Sequence, residues 1–150
     1  MRIMPLGADE LPEVAALLGA NGLPTDDLSP GIALFGVRDG HGLEGVVGIE
    51  RHGEVGLLRS LAVRHDRRQS GLGSALVLEA ERLAGANGIR ALYLLTTTAE
   101  AFFARRGYVP APRVRAPAAI QHSSEFTSLC PDTAAFMGKT LPAEMGVSGS

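Results

Sequence analysis

The sequence predicts an α/β (α+β) domain with helices flanking a mixed central β-sheet of about six or seven strands. Three observations predict it. Three apolar runs, 32–38, 43–51 and 54–63, are separated by Asp39-Gly40 and His52-Gly53, the tight turns of an antiparallel meander. The third run leads through a basic, glycine-containing turn into a segment with leucines at helical spacing. A further apolar run, Ala91 to Leu95, follows that helix, so strands and helices alternate around one sheet.

Each element has its own signal. A short strand near Arg2-Ile3-Met4 precedes Asp9, the expected N-cap of a helix whose Pro12 lies in the first turn, where proline is tolerated. Leu11, Val14, Leu17 and Leu18 share one face of it, and Asn21-Gly22 ends it. Leu23 to Leu28 reads as a polar loop able to approach a substrate pocket. After the meander, a helix over 72–84 turns Leu72, Leu76 and Leu83 to the core and Glu79, Glu81 and Arg82 outward, and Asn87-Gly88 closes it. Thr97-Thr-Ala-Glu100 has capping-box spacing, with Thr97 as N-cap, and Gly107 ends the short helix that follows. A strand around Tyr108-Val109, an irregular 110–117, a helical turn opening at Ser124-Glu-Phe126 and a last strand over 134–141 complete a single domain of residues 1–141. Residues 142–150 read as a flexible C-terminal tail.

Composition excludes several classes of function. A chain of 150 residues buries roughly 70% of its unfolded surface, enough to fold without a metal or disulfide staple. Its net charge of −2 supplies no overall basic field, so no nucleic-acid partner is expected. Cys130 is the only cysteine, which rules out an intrachain disulfide and points to a reducing, cytoplasmic setting. No apolar stretch approaches the roughly 20 residues that cross a membrane, and the first residues lack a signal peptide's apolar run. His41, His52, His65 and His122 form no i,i+4 pair, so no metal is expected.

The basic turn carries the chemistry. The first amides of a helix have no internal partner, and the helix dipole adds about half a positive charge there, so a phosphate group satisfies both. Gly71 and Gly73 let the backbone approach an anion, and Arg67 and Arg68 add charge. A Walker-type loop would need Lys after its last glycine, and a dinucleotide fingerprint would need Gly where Leu76 stands. What remains is Arg68-x-x-Gly71-x-Gly73, preceded by Leu61-Ala62-Val63. The same letters also fit an ordinary tight turn. They resemble the acyl-CoA-binding motif of the GNAT superfamily of N-acyltransferases, and the order of elements is that of the GNAT fold over nearly the whole chain. The segments 92–108 and 128–139 are similar to the GNAT family associated with arsenic-resistance loci.

That resemblance implies an acetyl-CoA-dependent N-acetyltransferase acting on a small, anionic, amino-acid-like amine, such as a phosphinothricin-type or arsenic-bearing glutamate analogue. It implies that acetyl-CoA lies in a split between central strands, with the Leu61 and Val63 backbone, across Ala62, on the pantetheine arm and thioester carbonyl. Amides of Arg68, Gln69, Ser70, Gly71, Leu72, Gly73 and Ser74 would hold the pyrophosphate. Gln69 and Ser70 stand where the family often has Gly and a basic residue, which shifts affinity toward Arg67 and Arg68. Arg105 meets either the 3′-phosphate or solvent. A homodimer is left open.

Direct transfer needs a base for the amine and a donor for the leaving thiolate. Where the family commonly has Tyr on the helix before Gly107, this chain has Phe103, which cannot donate a proton, so water or a hydroxyl among Thr96 to Thr98 takes over; Tyr108 reads as core. Thr97 is the catalytic candidate and Thr96 a substrate contact. Glu125 is the candidate base ahead of Glu50, Glu54 and His122; each carboxylate also reads as a solvated surface group. Strand alternation puts Arg59 on the face of Leu61 and Val63, where it either binds a substrate carboxylate or phosphonate bidentately or is a paired structural arginine. Cys130 reads as a small buried hydrophobe. Three rivals stay open: a protein or peptide acceptor, a non-catalytic acyl-CoA-binding module, and a structural domain whose glycines only turn the chain.

Overall fold

The computed structural model of the chain describes residues 2–23, 25, 28, 32–113, 116–121 and 134–142. Its strands are β1 (Met4–Pro5), β2 (Ala33–Asp39), β3 (Gly42–His52), β4 (Val55–Val63), β5 (Ala91–Thr96), β6 (Val109–Pro110) and β7 (Ala135–Thr140). Its helices are α1 (Leu11–Ala20), α2 (Leu72–Ala86), α3 (Glu100–Ala104) and α4 (Ala118–Gln121), with single 3₁₀ turns at Ala8–Glu10 and His65–Arg67. The seven strands form one sheet in the order β1-β2-β3-β4-β5-β7-β6. It is mixed: β4 and β5 run parallel, while β1 with β2, β2 with β3, β5 with β7 and β6 with β7 are antiparallel.

Backbone contacts divide the chain into two units, Met1–Glu50 with Leu58–Leu83, and Arg51–Leu57 with Ala84–Ser150. In the first, Val14, Leu17 and Leu18 of α1 pack on Ile32, Leu34, Leu43, Val46 and Ala62, with Leu11 and Leu23 at the margin. Helix α2 is held against β3 by the absence of a side chain at Gly45: a β-carbon there would lie 2.9 Å from Leu76 Cδ1 and 3.1 Å from Leu72 Cδ2. Those two leucines, at the first turns of α2, therefore fix where that helix begins. Leu72, Leu76, Val77, Ala80 and Ala84 are its buried positions, while Leu83, expected in the core, is only half-buried because the stripe drifts away from it at 100° per residue.

In the second unit, Leu57, Ala116, Ile120 and Phe136 form the core, and Tyr93 stacks on Phe136 at 5.4 Å. Strand β7 enters between β5 and β6, pairing Ala91–Thr96 with Thr140–Ala135 in register. Short α4 was not anticipated, and the turn expected at Ser124 to Phe126 lies outside the described residues, as do residues 143–150 of the expected tail.

Two helix starts differ from expectation. The 3₁₀ turn Ala8–Glu10 precedes α1, and Asp9 does not cap it; the Glu10 carboxylate instead accepts the Gly7 N–H at 2.8 Å and Arg38 Nη2 at 2.6 Å. At α3, Thr97 is exposed and the N-cap residue is Ala99; Thr96 Oγ1 accepts the Ala99 N–H at 2.9 Å. A hydroxyl three residues back reaches that amide because β5 runs one residue further than its apolar letters indicate.

Candidate functional site

The candidate site is built where β4 gives way to α2, within the first unit. The Arg64 N–H donates to the Glu44 carbonyl at 2.7 Å, holding the end of β4 to β3, and His65–Arg67 then makes one tight turn. Gln69 (φ 65°) and Gly71 (φ 86°) adopt left-handed backbone two residues apart. Turns of this kind gather successive N–H groups into a concave anion seat. Helix α2 begins immediately afterwards, with the Ala75 N–H making the helical bond to Gly71 O at 3.0 Å. Residues 68–74 are thus one continuous turn and first helical turn. No atom lies within 4 Å of the place a Gly71 side chain would occupy, so the backbone is open on that side.

The arginines of the turn are not equivalent. Arg64 pairs with Asp39 and Asp66, each at 2.6 Å. Its guanidinium holds both carboxyls below their ordinary range, Asp39 strongly, aided there by the His41 N–H. Arg67 Nε donates to Glu44 Oε1 at 2.6 Å, and Glu44 is buried on β3. Arg68 Nη2 instead donates to the neutral Asn21 Oδ1 at the end of α1. Among the described residues Arg68 meets no carboxylate. Of the two arginines expected to serve the anion, Arg67 is also paired to the sheet through Glu44.

Along β4, Ala62 is buried against α1, which leaves only its backbone for a ligand, while Leu61 and Val63 are half-buried. Arg59 does not sit as alternation implies. Ser60 adopts φ 59°, a left-handed kink inside the strand, so the two-residue alternation that aligned Arg59 with Leu61 and Val63 does not carry across it. The Arg59 side chain is wholly covered; its Nη1 donates to Glu50 Oε1 at 3.0 Å and its Nε to Ser60 Oγ at 3.3 Å. Arg59 is thus covered and paired, as the structural alternative has it.

Elsewhere, the Thr96 hydroxyl is engaged at α3 and Thr97 is exposed. Phe103 and Tyr108 are both buried, edge to face at 5.6 Å, so Tyr108 is a core residue as expected. Arg105 is exposed. Glu125, His122 and Cys130 lie outside the described residues. Among the described residues no cluster of His, Cys, Asp or Glu is arranged for a metal, and no helix is long and apolar enough to cross a membrane. Sequence reasoning missed Glu44, Asp39 and Ser60. An acid within the apolar run 43–49 facing a basic turn was a readable signal for Glu44; nothing marked Ser60, because left-handed backbone is forecast from glycine.

Known proteins share this fold. The model of the acetyltransferase (GNAT) domain matches residues 30–110, just over half of the chain and the whole of the site. The amino-acid acetyltransferase of Ectopseudomonas mendocina is 39% identical over 66 residues, 44% of this chain and 15% of the relative. Among solved structures, the N-acetylglutamate synthase of Neisseria gonorrhoeae, complexed with coenzyme A and L-arginine, superposes with a TM-score of 0.76 at 20% identity over 93% of this chain and 33% of its own. Tetrahymena GCN5 does so with a TM-score of 0.76 at 12% identity, over 95% and 97%. The chain therefore spans a third or less of the first two relatives, and the likeness to the two structures is one of fold.

Proposed function

The chain belongs to the acetyltransferase (GNAT) domain family, and on that premise we propose that it transfers the acetyl group of acetyl-CoA to the amine of a small, anionic, amino-acid-like molecule. The observation that carries the coenzyme half is the turn at 68–74: left-handed Gln69 and Gly71, an open backbone face, and Arg68, which meets no carboxylate among the described residues, at the start of α2. Amides of Arg68 to Ser74 hold the pyrophosphate, and the backbone of Leu61 to Val63 holds the pantetheine arm beside β4.

The acceptor half is supported by likeness to the amino-acid acetyltransferase of Ectopseudomonas mendocina and by the resemblance of residues 92–108 and 128–139 to the arsenic-resistance GNAT family. Detoxification of a phosphinothricin-type or arsenic-bearing amino acid is the role we assign. The neutral amine nitrogen attacks the thioester carbonyl carbon, the C–S bond breaks, and the leaving thiolate takes up a proton while the amine loses one. Glu125 accepts the amine proton, and the Thr97 hydroxyl or water supplies the other.

Acetyl-CoA-dependent release of free thiol, measured over a panel of amines, tests the proposal. Turnover confined to anionic amino acids is the expected result. Turnover of peptides but not free amino acids would move the acceptor to a protein. Failure to bind acetyl-CoA at millimolar concentration would overturn the coenzyme site.

A further inference from the structure

We propose that Arg59 is a positioning residue: anchored by Glu50, it clamps Ser60 in left-handed backbone and so sets the stretch of β4 that the acyl group meets. The inference rests on the functional reading above. Its starting point is Ser60. A residue with a β-carbon disfavours φ near 60°, and Ser60 holds it inside a strand, 8% exposed, where solvent does not relieve the strain. Such strain persists only where the surroundings impose it.

Arg59 supplies one of those constraints. Arg59 Nε reaches Ser60 Oγ at 3.3 Å, while Nη1 is fixed by Glu50 Oε1 at 3.0 Å from the neighbouring strand β3. The hydrogen bonds therefore run from β3 through a buried guanidinium to the kinked residue itself. Stability alone gives little reason to bury this pair, because buried ion pairs are commonly replaceable by apolar side chains without loss. Fixing one backbone conformation is a use an apolar pair could not serve. The kink falls directly before Leu61, while the turn at 68–74 is built from Arg64, Arg67 and Arg68 without Arg59. Arg59 is thereby tied to the acyl end of the coenzyme and not to its pyrophosphate.

The test compares wild type, Arg59→Met, Arg59→Lys and the double variant Arg59→Met with Ser60→Gly. Lysine keeps a charge opposite Glu50 but has a single nitrogen in place of the separate Nε and Nη1 that bond Ser60 and Glu50, and it serves if the methionine variant fails to fold. Carbon chemical shifts of residue 60 report the backbone directly, whether or not the protein turns over. The expected result is that Ser60 leaves the left-handed region in both single variants. With it, kcat should fall by about tenfold or more while acetyl-CoA affinity changes by less than about threefold. Glycine at 60, which adopts positive φ freely, should restore most of kcat in the methionine background. Ser60 retaining left-handed shifts in both single variants overturns the clamp, as does a double variant no faster than Arg59→Met. A wild-type chain that binds no acetyl-CoA overturns the functional reading and the positioning role with it, and the Ser60 shifts tell that failure from failure of the clamp.

Discussion

Glu44 and Arg67 meet at 2.6 Å, the carboxylate buried on β3 and the guanidinium half exposed on the turn that follows β4. This contact divides two adjacent arginines by task. Arg67 partners a buried carboxylate, which needs one, whereas Arg68 bonds neutral Asn21 and meets no carboxylate among the described residues.

Arg67→Ala should therefore lower stability by about 1–3 kcal/mol, the cost of stranding a buried acceptor, and weaken acetyl-CoA binding only modestly. Arg68→Ala should do the reverse: an unchanged melting midpoint and affinity reduced by about tenfold, as expected for one lost charge-assisted contact to an anion. Denaturant titration and calorimetric binding of the two variants check the ranking. Equal losses of affinity would show Arg67 sharing the anion despite Glu44.

Gly71 separates backbone strain from ligand chemistry. Its φ of 86° costs a residue with a β-carbon about 1–2 kcal/mol, yet no neighbour stands within 4 Å to clash. Gly71→Ala and Gly71→Asp should thus destabilise the fold to a similar extent. The aspartate alone should abolish coenzyme binding, by placing a negative charge against the proposed phosphate seat. Matching affinities in the two variants would remove the anion from this turn.

The Arg64–Asp39 pair predicts a pH dependence. Asp39 is held well below its ordinary range by Arg64 first and the His41 N–H second. A carboxyl with a depressed folded-state pKa stabilises above its unfolded value, about 3.9, and loses that contribution as pH falls through the folded value. Wild type should melt above Asp39→Asn by a constant margin at pH 5 and higher, and the margin should narrow below about pH 4. Thermal melts at several pH values measure it; a margin that widens on acidification would contradict the assignment.

The two threonines after β5 should behave differently. Thr96→Ala removes the acceptor of the Ala99 N–H and should cost about 1 kcal/mol, the usual value of a cap, while Thr97→Ala should leave stability unchanged. A fall in kcat for Thr97→Ala at constant stability would support its hydroxyl as the thiolate donor; no fall would leave water in that role.

Much of this was legible in the letters because the signals are local. Asp39-Gly40 and His52-Gly53 announced the meander, Asn21-Gly22 and Asn87-Gly88 closed their helices, and the run from Leu61 to Ser74 showed strand, basic turn and helix in sequence. Asp9 and Thr97 misled for a related reason. Capping is decided by which oxygen reaches which amide, and a one-residue shift in the start of a helix gives the role to Glu10 or Thr96.

The sequence by itself determined the order of the strands along the chain, the first three helices and the basic turn between β4 and α2, since periodicity and turn chemistry act within a few residues and need no partner from afar. Only the tertiary structure decided that β7 lies between β5 and β6, that Glu44 pairs with Arg67 while Arg68 bonds Asn21, and that Arg59 turns to Glu50 and Ser60. Those outcomes depend on groups far apart along the chain, 23 residues for Glu44 and Arg67, whose electrostatic interaction falls steeply with separation and exists only once folding has placed them within hydrogen-bonding distance.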